Sequence, residues 1–269
     1  MSAQSTLLAY EVPGPQLRLV QVLSACQLAA WRGERAVLFV ADLEALARHP
    51  ERAAALKDEV EALERLYRNL VGERLQVVRE SDVGEAQRAY RALSGQVTVV
   101  SLLREQGGEG KDAPLTLAQL SRSLTLAAAL MATRPQALLV PKSEQEEASH
   151  ALALLARIES PLAVELVTSG LAGRRAAELD RLKLPTRPSD LGGVLQGLPR
   201  DPLKQGGPGR PELCVASRLL DRLANGQAER LRRGCREGAG CETCLAALTQ
   251  GLEGALYGTP EERRAAEAN

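Results

Sequence analysis

Four cysteines, Cys214, Cys235, Cys241 and Cys244, crowd the C-terminal part of a 269-residue chain in the spacing C-x20-C-x5-C-x2-C. Thiolates are soft donors, and four of them close in sequence supply the ligand set of either a [4Fe–4S] cluster or a structural zinc ion. A zinc ribbon ordinarily carries two CxxC knuckles, and this sequence has one, CETC at 241–244. Gly234, Gly238 and Gly240 lie among the ligands, where they let the chain fold tightly and turn backbone N–H groups toward sulfur. The plain alternative is four buried cysteines with no common role. Cys26 stands apart and reads as a small buried hydrophobe.

The rest of the composition bounds what these residues can serve. Lys+Arg 34 balances Asp+Glu 34, which excludes a polybasic protein, and 45% hydrophobic residues exclude disorder along the whole chain. Aromatics make up only 2%, so the core must be Leu, Val and Ala, and stacking platforms for bases are not expected. No apolar run reaches the ~20 residues of a membrane span, and the first residues do not read as a secretory signal. The expectation is a cytoplasmic protein without a membrane partner, in a compartment where cysteines bind metals rather than pair as disulfides.

Short apolar runs alternate with amphipathic stretches. Candidate strands are 6–12, 36–40, 75–78, 96–102, 137–140 and 162–167, and candidate helices are about 20–32, 51–70, 84–94, 116–132 and 144–158. Runs such as AVLFV suit parallel strands buried on both faces. Leu56, Val60, Leu63, Tyr67 and Leu70 keep one helical face apolar. The pattern predicts an α/β, Rossmann-like doubly wound parallel sheet with its cleft at the carboxyl ends of the strands. After Leu184 prolines and glycines give loop texture, then 215–223 and 243–256 read as helices. The organisation expected is a Rossmann-like domain at 1–195 and a small helical, cysteine-bearing domain at 196–269, with a frayed tail.

Between Arg200 and Arg236 nine basic residues face four acidic ones. Taken alone such a window is as readily a solvated face as a polyanion site.

The segment RRGCREGAGCETCLAAL, with Cys214 upstream, resembles the C-terminal domain of tryptophanyl-tRNA synthetases that carry an iron–sulfur cluster. Other segments fall into register with that family: AVLFVADLEAL at 36–46, ESDVGEAQRAYRAL at 80–93, LTLAAALMA at 124–132 and LLVPKSEQEEASHALALLARI at 138–158. The resemblance covers most of residues 5–256. It implies the class I synthetase fold, a [4Fe–4S] cluster on the four cysteines with zinc as the alternative, and a homodimer. It also implies a tRNA-facing surface, where Arg230, Arg232, Arg233 and Arg236 would contact phosphates of tRNA or another polyanion.

The departures fall on the chemistry. Where the family has its HIGH motif, whose histidines stabilise the transferring phosphates, this sequence reads Arg18-Leu19-Val20-Gln21. The KMSKS loop is represented by PTRPSD at 185–190, in which only Ser189 and Asp190 match. The aspartate that reads the indole N–H would fall at Ala129, and the glutamine that meets the substrate amine would be Gln145. A degenerate cleft remains, with Arg18, Gln21, Asp42, Gln145, Ser189 and Asp190 as its candidate residues and no catalytic residue assigned. Strand-end aspartates such as Asp42 also serve as turn caps. His49 and His150 form no catalytic pair, and Ser189 has no G-x-S-x-G context.

Three readings follow. The first is a pseudo-synthetase that has lost aminoacylation, keeps the cluster site and binds tRNA, a nucleotide or a partner protein. The second is a repurposed iron–sulfur enzyme acting on a small molecule in the old cleft. The third is a divergent active tryptophan ligase whose phosphates are handled by Arg18, Lys183 or Arg187.

Overall fold

Five of the apolar runs form strands in a computed structural model, which describes residues 6–14, 16–31, 33–48, 50–82, 117–158, 163–170, 182–185, 187–201, 207–223 and 226–258. The strands are β1 (Thr6–Glu11), β2 (Arg35–Val40), β3 (Leu75–Arg79), β4 (Ala137–Pro141) and β5 (Glu165–Ser169). They make one parallel sheet in the order β3-β2-β1-β4-β5. β1 and β4 are buried throughout, as central strands covered on both faces must be, while the edge strands β3 and β5 are partly exposed. The expected α/β, Rossmann-like doubly wound sheet is therefore present. The expected strand at 96–102 and helix at 84–94 lie outside the described residues.

The described helices are α1 (Leu19–Ala30), α2 (Leu43–Arg48), α3 (Ala53–Val71), α4 (Leu117–Thr133), α5 (Gln145–Ile158), α6 (Pro188–Gln196), α7 (Val215–Leu223), α8 (Ala228–Arg236) and α9 (Cys241–Tyr257). Two of them, α6 and α8, lie where composition pointed to loop or to a charged run. Pro188 fits the first turn of α6, where its missing N–H costs nothing, and Leu191 and Leu195 bury one face despite Gly192 and Gly193. α8 is strongly charged yet buries Ala228 and Leu231.

Contacts divide the chain into two compact units built from non-consecutive segments, a partition different from a cut at 195/196. The first comprises 1–13, 31–60 and 74–170 and holds the sheet. Its core joins Leu8, Tyr10, Val37, Phe39, Leu126, Leu130, Leu138 and Leu155, with Tyr10 and Phe39 stacked across paired strands at a centroid distance of 6.0 Å. Ala129, the position of the family's indole-reading aspartate, is simply part of this apolar core.

The second unit comprises 14–30, 61–73 and 171–269 and is helical among its described residues. In it α9 lies against α6 and α7, and α8 against α7 and α9. Asn69 Nδ2 donates to the Ala255 carbonyl at 3.2 Å, and the Tyr257 hydroxyl donates to the Pro185 carbonyl at 2.9 Å. Burial pushes the Tyr257 phenol up to about 12, so it stays a donor at any physiological pH.

Gly251 allows α7 and α9 to meet. A Cβ built on it would stand 2.1 Å from the Leu223 carbonyl oxygen, which is backbone and cannot rotate aside. Gly251→Ala is expected to lower unfolding stability by about 2 kcal/mol or more, as overpacking of a fixed contact does. Chemical denaturation reads this directly, and a variant as stable as the parent would show that the two helices are free to separate.

Candidate functional site

The second unit brings all four clustered cysteines to one cavity. Its lining comprises Cys214, Cys235, Cys241 and Cys244 together with Arg200, Pro211, Ala216, Ser217, Arg232 and Leu245. The four cysteines arrive on three structural devices. Cys214 follows a 3-10 turn at Pro211–Leu213 and caps α7, its carbonyl accepting from the Arg218 N–H. Cys235 sits in the last turn of α8. Cys241 opens α9, and Cys244 lies three residues on, so the two share a helical face.

Local hydrogen bonds hold these devices in place. The Cys235 carbonyl accepts the Gly209 N–H at 2.8 Å and the Gly238 N–H at 3.2 Å, which ties the approach to Cys214 to the end of α8. Gly238 adopts φ 94°, a left-handed conformation that a side chain would resist, and so turns the chain from α8 toward α9. Asp201, buried, accepts from Arg210 through N, Nε and Nη2 at 2.9, 3.4 and 3.0 Å and closes the loop leading to the 3-10 turn.

These surroundings fit a thiolate-bound group. Cys214 and the Cys241/Cys244 pair stand at helix N-termini. Arg200 and Arg232 add positive charge to the wall. No disulfide links any of the five cysteines. Among the described residues no group of three or more His, Cys, Asp or Glu converges to hold a single metal ion.

The four arginines of α8 divide. Arg230, Arg233 and Arg236 are exposed, Arg230 near Gln227 and Arg236 3.7 Å from Glu229. Arg232 is on the other side of the helix: Nε donates to Ser217 Oγ at 3.1 Å, and Nη2 donates to the Ser217 carbonyl at 2.8 Å and to Asp221. Arg232 is thus anchored to α7. The hydrogen bond from Arg232 holds the Asp221 carboxyl below its usual range. Its small contribution to stability is therefore present above the ordinary aspartate pKa and is lost as pH falls through the lowered value.

Several residues expected to line a degenerate cleft have other work. Gln21, 2% exposed, accepts the Arg18 backbone N–H at 2.8 Å, the return half of a capping box at the start of α1. Arg18 pairs in an isolated antiparallel bridge with Lys183, and the Leu19 N–H donates to the Leu182 carbonyl at 2.9 Å. Ser189 and Asp190 are exposed in the first turn of α6 and bonded to one another at 3.2 Å. In the first unit Asp42, 3% exposed, accepts the Ser81 N–H at 2.9 Å and the Ser81 hydroxyl at 2.6 Å, joining the ends of β2 and β3. Gln145 is exposed at the start of α5.

What lies buried at the carboxyl edge of the sheet is a set the sequence reading passed over. The order β3-β2-β1-β4-β5 places the switch point between β1 and β4. Tyr10, near the end of β1, is fully buried, and its hydroxyl makes no hydrogen bond among the described residues. Burial foremost, then the Glu144 carboxylate, push its phenol well above the ordinary value, with Glu80, Glu147 and Arg122 also within electrostatic reach. Thr125 donates to Glu80 Oε1 at 2.8 Å, and Arg122 Nη1 stands 3.6 Å from Glu147 Oε1. The strand-end rule singles out Glu80 and Glu144, since each follows a strand within a few residues. Cys26 is buried, and desolvation raises its thiol to about 11, as suits an inert core residue.

Comparison with solved structures decides the architecture. The tryptophanyl-tRNA synthetase of Aeropyrum pernix K1 superposes over 99% of this chain and 80% of its own, with TM-score 0.67 and 20% identity. The chain has the fold of these synthetases. The tryptophanyl-tRNA synthetase of Campylobacter jejuni matches over 98% of this chain and 88% of its own, with TM-score 0.62 and 17% identity. The tyrosyl-tRNA synthetase of Archaeoglobus fulgidus, complexed with L-tyrosine, matches over 98% and 90%, with TM-score 0.63 and 13% identity. No family model and no curated protein matches the sequence. A class I synthetase-like scaffold thus carries the cysteine cavity and the buried acidic edge described above. No described helix is long and apolar enough to cross a membrane.

Proposed function

We propose that this protein is a pseudo-synthetase: a tryptophanyl-tRNA-synthetase-like chain that no longer activates an amino acid and holds a [4Fe–4S] cluster on Cys214, Cys235, Cys241 and Cys244. The observation that carries the reading is that those four thiols, from three separate places in the chain, line one cavity. Such a cluster supplies a covalent tie between helix ends and a one-electron redox centre. The loss of activation is supported by what occupies the old catalytic positions. Gln21 caps its own helix, and Pro188 begins a helix in the segment that resembles the mobile phosphate loop.

The partner in this reading is tRNA or another polyanion. Arg230, Arg233 and Arg236 point outward from α8, next to the cysteine cavity, and contacts of that kind position a phosphate backbone without reading sequence. A homodimer, implied by the family resemblance, completes the reading. Iron, sulfide and zinc analysis of anaerobically purified protein, together with tryptophan-dependent ATP–pyrophosphate exchange, tests it.

One observation favours a small molecule at the carboxyl edge of the sheet as well. The buried Tyr10 hydroxyl lacks a hydrogen-bond partner among the described residues, and three glutamates lie within its electrostatic reach against one arginine. That balance suits a ligand carrying an ammonium group. Native mass spectrometry should find a bound species of defined mass that Tyr10→Phe and Glu144→Gln release. Protein that purifies empty and shows no thermal shift with primary amines would sink this second reading.

A further inference from the structure

Arg232 lies three residues before Cys235, so the two share one face of α8, and both line the cysteine cavity. Its guanidinium carries five N–H donors. Nε is committed to Ser217 Oγ, and Nη2 to the Ser217 carbonyl and Asp221. Both N–H groups of Nη1 are left without a protein partner among the described residues. The side chain is 20% exposed, and its anchor Ser217 is buried on the facing helix. The other cavity arginine, Arg200, is exposed and bonded to the Gln196 carbonyl on its own side of the fold.

A cation fixed in this way acts on whatever sits between the thiols. Reduction of a thiolate-bound cluster by one electron adds negative charge to a body that is already negative. A nearby fixed positive charge in a poorly hydrated wall stabilises the reduced state more than the oxidised one. We propose that Arg232 is a positioning residue of the cysteine site, pinned to α7 so that its charge and its remaining N–H donors face the cluster and raise its reduction potential. This rests on the reading of the cavity as a [4Fe–4S] site. It assigns to Arg232 a role distinct from the outward-facing Arg230, Arg233 and Arg236.

The test uses the full chain, purified anaerobically and titrated with dithionite, which gives up the electron the cluster takes. Arg232→Met is expected to shift the midpoint potential to more negative values and to shorten the life of the visible absorption in air. Arg232→Lys, which keeps the charge, should stay near the parent potential. Arg218→Met removes a charge from the facing helix outside the cavity and should leave the potential unmoved. If Arg232→Met does not hold its cluster, Arg232→Gln is read in its place. A potential unmoved in the neutral variant, or shifted equally in the lysine variant, overturns the proposal while leaving the cluster reading intact. Parent protein that contains no sulfide overturns both.

Discussion

Anaerobically purified protein is expected to carry about four irons and four sulfides per chain, and the Cys241→Ser, Cys244→Ser double variant to carry none. The effect should extend beyond the metal. The buried residues of α8 are Ala228 and Leu231, and its ties include Arg232 to α7 and the Cys235 carbonyl to the neighbouring turn. Nine residues with so small an apolar face are too short to be a stable helix unaided. Binding free energy at a site absent from the unfolded chain is folding free energy. Loss of the cluster should therefore melt α8 and lower the far-UV helical signal as well as bleach the visible band. Zinc at one per chain without sulfide would make the cavity a structural zinc module instead. A parent protein with neither metal, folded and fully helical, would leave four half-buried cysteines without a common role.

Tryptophan-dependent ATP–pyrophosphate exchange is expected to fall at least about 10⁴-fold below that of an ordinary synthetase. One preorganised donor aimed at developing charge is worth roughly 10²–10³ in rate. The resemblance places three such donors, two histidines and a lysine, where this chain has Arg18, Gln21 and Pro188. Effects of groups that act together do not multiply fully, so the product is an upper bound and the lower figure is the safer expectation. Gln21 Oε1 accepts the Arg18 backbone N–H at the helix start, and Pro188 has no N–H to give. Exchange at the rate of an ordinary synthetase would overturn the pseudo-synthetase reading and restore the divergent ligase, with Arg18, Lys183 or Arg187 as its phosphate contacts.

Much of the architecture was legible because period and burial coincide. Runs such as AVLFV carry no polar residue to expose, so they can only be central strands or core, and β1, β2 and β4 are buried almost throughout. α3 declared itself through Leu56, Val60, Leu63 and Tyr67, all buried on one face. α6 and α8 did not. Their helical order depends on a few leucines meeting a neighbour, while local composition, Pro-Gly in one and Arg-rich in the other, speaks for loop or solvent.

The site divides along the same line. Type and spacing nominated the four cysteines, because a ligand set is a property of side-chain chemistry repeated at short separation. The resemblance to one synthetase family rested on segments of sequence, and the fold is one that tryptophanyl- and tyrosyl-tRNA synthetases share. Which neighbour faces inward was settled only by packing. Gln145 is exposed while Glu144, one residue earlier, is buried beside Tyr10, a difference of about 100° in direction that no spacing rule could resolve. Arg232 likewise reads in sequence as one basic residue among four. Its anchor on Ser217, fifteen positions away, comes from the meeting of α7 and α8. Sequence by itself determined the strands, the long amphipathic helix and the candidate ligands, since these depend on local periodicity and residue chemistry. Tertiary structure decided which polar groups are spent on caps and anchors and which are left facing a cavity, because hydrogen-bond partners distant in the chain exist only once the helices have docked.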